Sequence, residues 1–215
     1  MAPEGRKILS ILLMVTSGLL FISLFFYIAI LPIIAGIFSL LLVFSLSFFR
    51  DPDRKIPEGE NILISPADGK VTTVININDP DVGENSKLVS IFLNVFNVHA
   101  NRVPISGKVI SVGRKNGQFV SAFRHDAVDV NEQTITLLDA SIGVVKVKQI
   151  AGLIARRILC YAKSGENMKK GDRLGFIMFG SRTDVILPSS VDINVKVGQR
   201  VVGTETIIGN FENEK

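Results

Sequence analysis

The chain has 215 residues, of which 47% are hydrophobic, and a formal net charge of +4; this length allows one ordinary domain and an additional segment. A single cysteine, Cys160, excludes an intramolecular disulfide and a cysteine-rich metal site, and we expect no bound metal. The basic residues form no stripe with interleaved aromatic residues, so we expect no nucleic-acid partner. A mildly positive surface suits an anionic membrane leaflet better.

The chain begins with a very long apolar segment, residues 8–49, which contains 42 residues without Asp, Glu, Lys, Arg or His. As one helix it would be about 63 Å long, twice the ~30 Å hydrocarbon core of a bilayer. Pro32 divides this segment, so we predict an N-terminal membrane hairpin (1–49) of two helices over 8–31 and 33–49. The segment is too long for a cleaved signal peptide.

Basic residues flank the apolar segment on both sides. Arg6 and Lys7 precede it, and Arg50, Arg54 and Lys55 follow it. Because positively charged flanks stay on the cytoplasmic side of a membrane, we expect both ends of the hairpin there. The domain that follows is therefore expected at the cytoplasmic face of the cell membrane.

The polar stretch RDPDRKIPEGE, residues 50–60, predicts a linker, and residues 61–215 form the second predicted domain. Short runs in this domain alternate in polarity or are rich in β-branched residues, as in KVTTVINI (70–77) and VDINVKV (191–197), with turn residues between them. We therefore predict a mainly β domain, a barrel or sandwich. Residues 149–162 alone have a helical period, and they are equally compatible with strand.

The C-terminal part, residues 168–209, resembles the hammerhead of biotinyl and lipoyl carrier domains, in which a hairpin presents a modified lysine. Two apolar strands are predicted to meet at Gly180-Ser181, so that a serine occupies the tip of the hairpin. A membrane-tethered carrier module without catalysis is one alternative function. It would need a lysine at the tip, whereas Lys169 and Lys170 precede the turn.

Three residue types in this domain could carry out chemistry. The hydroxyl of Ser181 follows Gly180 and could attack its carbonyl, which requires a base and donors for the oxyanion. Of the two histidines, His99 ends an apolar strand and is the better candidate for that base, while His125 lies in a polar stretch and is expected on the surface. Asp68, in SPADGKV, is either a local turn residue or a carboxylate that orients a His–Ser pair.

Several stretches, taken in order, resemble the phosphatidylserine decarboxylase family in its short bacterial and archaeal form. They are FFRDPDRKIP, ILISPADGKV, FLNVFNVHANRVPISG, NEQTITL and QIAGLIARRILCYAKSGENMKKGDRLGFIMFGSRTDVILP. With the apolar N-terminus they cover nearly the whole chain. The resemblance implies an inactive proenzyme that cleaves itself between Gly180 and Ser181. It also implies that the resulting β chain (1–180) and α chain (181–215) remain together as a heterodimer.

The same resemblance implies the cofactor and the reaction. Ser181 would become a covalent pyruvoyl group (bound pyruvate) through an ester and a dehydroalanine, with release of ammonia. A Schiff base between this group and the headgroup of phosphatidylserine would accept electrons as CO2 leaves, and the product would be phosphatidylethanolamine. His99 is implied as the general acid/base and Asp68 as the orienting acid.

Two questions stay open at this point. The longer branch of the family has a second histidine, three residues after the first, in its self-cleavage group, and Arg102 occupies that position here. Either His99 serves both steps or another group activates Ser181. Archaetidylserine would present the same reacting atoms as phosphatidylserine and is an alternative substrate. A pyruvoyl enzyme for a free amino acid would have little use for the apolar N-terminus.

Overall fold

The computed structural model divides the chain into two compact units, Met1–Pro52 and Asp53–Lys215. The boundary between them falls inside the predicted linker. His125, which we expected on the surface, lies outside the described residues. The residues that the structure describes are 1–26, 28–118, 130–152, 157–178 and 180–212.

The first unit consists of a short 3-10 helix, Pro3–Gly5, and two long helices, α1 (Arg6–Phe25) and α2 (Ile30–Phe48). The amide of Ala2 donates a hydrogen bond of 2.7 Å to the carbonyl of Phe49, which brings the two ends of the unit together. Both helices are long and apolar enough to cross a membrane, with a mean hydropathy of 2.5. The unit is therefore a pair of apolar helices.

The predicted boundary between the two helices, at Pro32, is wrong. α1 ends at Phe25 and α2 begins at Ile30, so Pro32 lies in the first turn of α2. A proline is tolerated there because the amide that it lacks would have no acceptor within the helix. The break between the helices therefore precedes the proline.

The second unit is mainly β, as predicted. Its strands form where the sequence alternates or is rich in β-branched residues. Among the described residues they are β1 Ile62–Ile64, β2 Gly69–Asp79, β3 Gly83–Leu93, β4 Ala100–Arg102, β5 Gly107–Lys115, β6 Gln133–Ala140, β7 Gly143–Ile150, β8 Ile158–Cys160, β9 Asn167–Met168, β10 Arg173–Ile177, β11 Ser181–Leu187, β12 Asp192–Ile193, β13 Arg200–Val201 and β14 Ile207–Asn210.

These strands form one large sheet and two small ones. The large sheet has the order β13-β2-β3-β11-β7-β6-β5-β9, and the small sheets have the orders β4-β10-β8 and β1-β14-β12. Val185 of β11 lies opposite Val89 of β3 and Val147 of β7, and all three are buried. Because side chains alternate along a strand, this register places the main hydrophobic core on one face of the large sheet.

The predicted hairpin around Gly180-Ser181 is also wrong. β10 pairs with β4 and β8, whereas β11 pairs with β3 and β7, so the two strands belong to different sheets. All seven residues of β11 are buried. A strand buried on both faces is best satisfied by a partner on each edge, which β3 and β7 supply. The chain therefore leaves one sheet at Ile177 and enters another at Ser181.

Candidate active site

Ser181 is the first residue of β11, at the point where the chain enters the large sheet. Its side chain is fully buried, and its Oγ has no hydrogen-bond partner among the described residues. The preceding Gly180 has φ of +61°, in the left-handed region that favours glycine. Burying a hydroxyl without a partner costs free energy, and such an atom in a native fold calls for an explanation.

A buried chain of neutral polar side chains lies next to Ser181, on the same face of β11. The hydroxyl of Thr183 accepts a hydrogen bond of 3.2 Å from Nδ2 of Asn101. The Oδ1 of Asn101 in turn accepts one of 2.8 Å from Nε2 of Gln149. A Cβ on Gly175 would lie only 2.6 Å from that nitrogen, so the glycine makes room for the amide. The site therefore continues from the serine into a network of amides.

His99 immediately precedes β4 and is fully buried. Its Nδ1 lies 2.9 Å from the carbonyl of Asn97, and its own carbonyl accepts a hydrogen bond from the amide of Ile177. Because a carbonyl can only accept, the bond requires a proton on Nδ1, so in the neutral ring Nε2 is the basic nitrogen. Two residues after His99, Asn101 contacts Thr183, which lies two residues after Ser181. The candidate base, His99, and the candidate nucleophile, Ser181, are thus linked through the hydrogen bond between Asn101 and Thr183.

Asp68 lies in the loop between β1 and β2 and is almost fully buried. Its carboxylate accepts two hydrogen bonds from Arg54, from Nη1 and, at 2.9 Å, from Nη2. It accepts a third, of 2.8 Å, from the amide of Gly203. The same loop reaches β4, because the carbonyl of Pro66 accepts the amide of Arg102. The connection from Asp68 towards His99 therefore runs through the backbone of β4.

The opposite face of β11 carries a buried ion pair. The guanidinium of Arg182 binds the carboxylate of Asp184 through two hydrogen bonds, of 2.6 and 3.0 Å, and also donates to the hydroxyl of Ser90 at 2.8 Å. The exposed fractions of Arg182 and Asp184 are 6% and 1%. Bidentate, charge-assisted bonds of this kind hold both side chains in a fixed geometry.

Sequence reasoning pointed to Gly180, Ser181, His99 and Asp68, and to Asn101 as a neighbour of His99, but it did not predict the amide network beside Ser181. The amides of Asn101 and Gln149 come from strands that are far apart in the chain, so nothing local connects them with Ser181. The charges of Arg182 and Asp184 did carry a signal. Two opposite charges, two residues apart, in an otherwise apolar strand lie on one face and can pair there.

Comparison with known proteins places this chain in a family. The family model for phosphatidylserine decarboxylase matches residues 41–209. A phosphatidylserine decarboxylase proenzyme of Chlorobaculum tepidum is 44% identical over 168 residues, which cover 78% of each chain. One from Ralstonia nicotianae is 46% identical over 176 residues, 81% of this chain and 82% of the relative. One from Wolbachia pipientis is 44% identical over 173 residues, 78% of this chain and 75% of the relative.

These matches define the class first: the chain is a pyruvoyl-dependent carboxy-lyase that is made as a proenzyme. Within that class, it belongs to the phosphatidylserine decarboxylase family. The pyruvoyl group of such an enzyme is derived from a serine of the chain itself.

Proposed function

We propose that the chain cleaves itself between Gly180 and Ser181 and that the mature enzyme decarboxylates phosphatidylserine through the pyruvoyl group formed at residue 181. The observation that carries this assignment is the buried Ser181 hydroxyl, which has no partner among the described residues and directly follows a glycine with φ of +61°. Both residues lie within the segment that matches the family model. A serine held in this way fits the precursor of the cofactor.

The maturation chemistry consumes only this junction and one water, with a general acid/base to move protons. Oγ of Ser181 adds to the carbonyl carbon of Gly180 while the C–N bond breaks and the hydroxyl proton passes to the freed nitrogen of Ser181, which converts the peptide into an ester. Loss of the Ser181 α-proton then expels the Gly180 carboxylate and leaves a dehydroalanine. Addition of water and loss of ammonia complete the change, so one water is consumed and one ammonia is released for each peptide bond broken.

The pairing of β11 supports a mature enzyme of two associated chains. Residue 181 would be the first residue of the α chain, and β11 pairs with β3 along seven residues and with β7 along five. Further along the α chain, β13 pairs with β2 and β14 pairs with β1. Cutting the chain before β11 leaves all these backbone hydrogen bonds in place, which favours the heterodimer of chains 1–180 and 181–215.

We assign the general acid/base role to His99, both for Ser181 and for the substrate carbon. Its support is the contact at Nδ1, which fixes the ring and makes Nε2 the basic nitrogen. Asp68 is proposed as a positioning acid: bound by Arg54, it holds its loop against the strand that follows His99. Arg102, at the position of the second histidine of the longer family branch, donates its amide to that loop.

The pyruvoyl group supplies the electron sink that the loss of CO2 from an α-amino acid needs. The surrounding chain supplies the environment for it. Ser181 and His99 are both fully buried, which excludes bulk water and strengthens electrostatic interactions within the site. The chain therefore provides a dry site with one fixed acid/base group.

We also assign α1 and α2 to the cell membrane, where the lipid substrate lies. Their length and hydropathy support this assignment. The basic residues on both sides of the pair favour a catalytic unit on the cytoplasmic face. The likeness of residues 168–209 to a carrier hammerhead stays a prediction.

Intact-mass measurement of the purified full-length protein tests the proposal. We expect two chains, with the smaller lighter by one ammonia than a 181–215 peptide that begins with serine. Release of CO2 from phosphatidylserine should follow the amount of that smaller chain. A protein that remains one chain of 215 residues and still decarboxylates the lipid would contradict it. Turnover of archaetidylserine in place of phosphatidylserine would revise the substrate alone.

A further inference from the structure

Phe96 is unusually exposed for a phenylalanine. Its exposed fraction is 70%, against 59% for Val197 and 50% for Ile75, the next largest values among the described hydrophobic side chains of the second unit. Single exposed apolar residues are common on protein surfaces, so exposure alone indicates nothing. Three features of the residues around Phe96 indicate that its exposure is functional.

Phe96 stands on a rigid turn, residues 94–97. The amide of Asn97 donates to the carbonyl of Asn94 at 3.0 Å. The two asparagine side chains close the turn further: Oδ1 of Asn97 accepts the amide of Asn94, and Oδ1 of Asn94 accepts the amide of Phe96, each at 2.9 Å. Such side-chain bonds fix a turn, and a fixed turn loses little conformational entropy when it binds a partner. The aromatic side chain is therefore presented in a defined direction.

The turn is attached to the candidate active site at both of its ends. Leu93, which precedes it, lies opposite Ser181 in the pairing of β3 with β11. The carbonyl of Asn97, its last residue, accepts a hydrogen bond of 2.9 Å from Nδ1 of His99. A molecule bound by Phe96 would therefore lie at the end of the large sheet where the chemistry takes place.

Two exposed basic residues lie on β2, which pairs with β3, and on β13, which pairs with β2. Lys70 of β2 lies opposite Phe92 of β3, and Arg200 of β13 lies opposite Lys70. Both are exposed. An exposed aromatic ring accompanied by basic side chains is the composition that binds an anionic lipid surface, because the ring enters the headgroup region while the cations meet the phosphates.

We propose that turn 94–97 docks the catalytic unit on an anionic bilayer, with Phe96 inserted among the headgroups and Lys70 and Arg200 beside them. This inference rests on the proposed function, which explains why a lipid must reach Ser181. It adds a contact made by the β domain itself to the anchorage assigned to the N-terminal helices. The partner that turn 94–97 binds is therefore a lipid surface.

A single tryptophan tests this docking directly, because the chain contains none. The full-length Phe96→Trp protein is reconstituted in phosphatidylserine-containing vesicles whose acyl chains carry bromine. We expect blue-shifted emission, with at least half of it quenched. The matched control is Ile110→Trp on β5, where the replaced side chain is 45% exposed and the strand lies four places from β3 in the sheet. Its emission should stay water-like and unquenched.

Three results would overturn the docking proposal. The first is that bromine does not quench the emission of Phe96→Trp, and the second is that it quenches both variants equally. The third is that the emission of Phe96→Trp is blue-shifted already in detergent and is not quenched by brominated lipid. The last result would show that a second protein copy covers the ring. Repeating the measurement with Ser181→Ala separates the two proposals, since lipid contact needs no cofactor. Quenching in that background, together with failure of the intact-mass test, would leave the docking intact and remove only the proposed maturation.

Discussion

The two faces of strand β11 differ in how they treat polar groups, although every residue of the strand is buried. On one face, Arg182 and Asp184 form a bidentate ion pair that also engages Ser90. On the other face, Thr183 accepts one bond from a neutral amide, and the hydroxyl of Ser181 has no partner among the described residues. Strong, fixed bonds and an unsatisfied hydroxyl thus lie on opposite faces of one strand.

This difference separates the two requirements of the site. The ion pair and the ladders to β3 and β7 hold the start of the strand in one position, so Ser181 does not need a bond of its own for placement. An unbonded hydroxyl can rotate towards the Gly180 carbonyl without losing a hydrogen bond. Rigidity on one face is therefore compatible with the reactivity that we propose for Ser181 on the other, and each face can be changed separately.

The largest effect should come from removing the proposed nucleophile, Ser181. We expect Ser181→Ala to remain one chain with no decarboxylase activity, because no hydroxyl can attack Gly180. Electrophoresis and CO2 release measure these two quantities.

Ser181→Thr is the matched variant for this position. It keeps a hydroxyl on a bulkier side chain, so we expect slow cleavage in place of none. If Ser181→Ala were still cut between residues 180 and 181, or still released CO2, Ser181 would not be the nucleophile and the contrast between the two faces would have no role in maturation.

Breaking the ion pair should destabilise the fold strongly. Asp184→Asn leaves the buried guanidinium of Arg182 without its counter-charge, which we expect to cost about 3–5 kcal/mol in the free energy of unfolding. The matched control is Asp192→Asn, because Asp192 is 89% exposed in its side chain and lies 3.8 Å from Lys87. That change should stay within about 0.5 kcal/mol. Equal losses in the two variants would show that the ion pair does not anchor β11.

The amide network on the reactive face should have a smaller effect. Thr183→Val keeps the shape of the side chain but removes the acceptor for Asn101, so a buried donor loses its bond at a cost of about 1–3 kcal/mol. Thr183→Ser retains the hydroxyl and should recover most of this loss. Urea unfolding of both variants decides the point, and a Thr183→Val protein as stable as the parent would mean that Asn101 finds another acceptor.

Much of the architecture could be predicted because its cause is local. Alternating and β-branched runs predicted the strands, and an uncharged N-terminal segment predicted two apolar helices. The break at Pro32 was misplaced because a proline is compatible with the first turn of a helix as well as with the gap before it. The hairpin at Gly180 was predicted from two adjacent apolar runs, but strand pairing is decided by distant partners.

The candidate site divides in the same way. Gly180 and Ser181 are adjacent, so their pairing could be recognised in the sequence, and the positive φ of Gly180 matches the conformational freedom expected of it. The bond between Asn101 and Thr183 spans 82 positions, and Arg54 reaches Gly203 across 149. Contacts at such separations depend on the complete fold, so no local pattern predicted them.

The smallest effect on stability should come from a second charged cluster, centred on Lys146 of β7. Lys146 lies opposite Ile186 of β11. The ammonium of Lys146 binds Asp79 and Asp81. Burial alone would raise the pKa of Asp79, but the hydrogen bonds from Lys146 and from the amides of Asp81 and Val82 outweigh it, so the pKa lies below its usual 3.8. Ionised Asp79 therefore stabilises the folded chain.

This pKa gives a pH dependence with a definite sign. A carboxyl whose pKa is lower in the folded chain contributes its full stability above the unfolded value of 3.8 and loses it as the pH falls through the folded value. Between pH 5 and pH 3 the urea midpoint of the parent should therefore fall further than that of Asp79→Asn, which cannot titrate there. Asp192→Asn should keep the slope of the parent. Parallel slopes for all three proteins would mean that Lys146 does not lower the pKa of Asp79. Of the two charged clusters, only the Arg182–Asp184 pair would then stabilise the fold, at the start of β11.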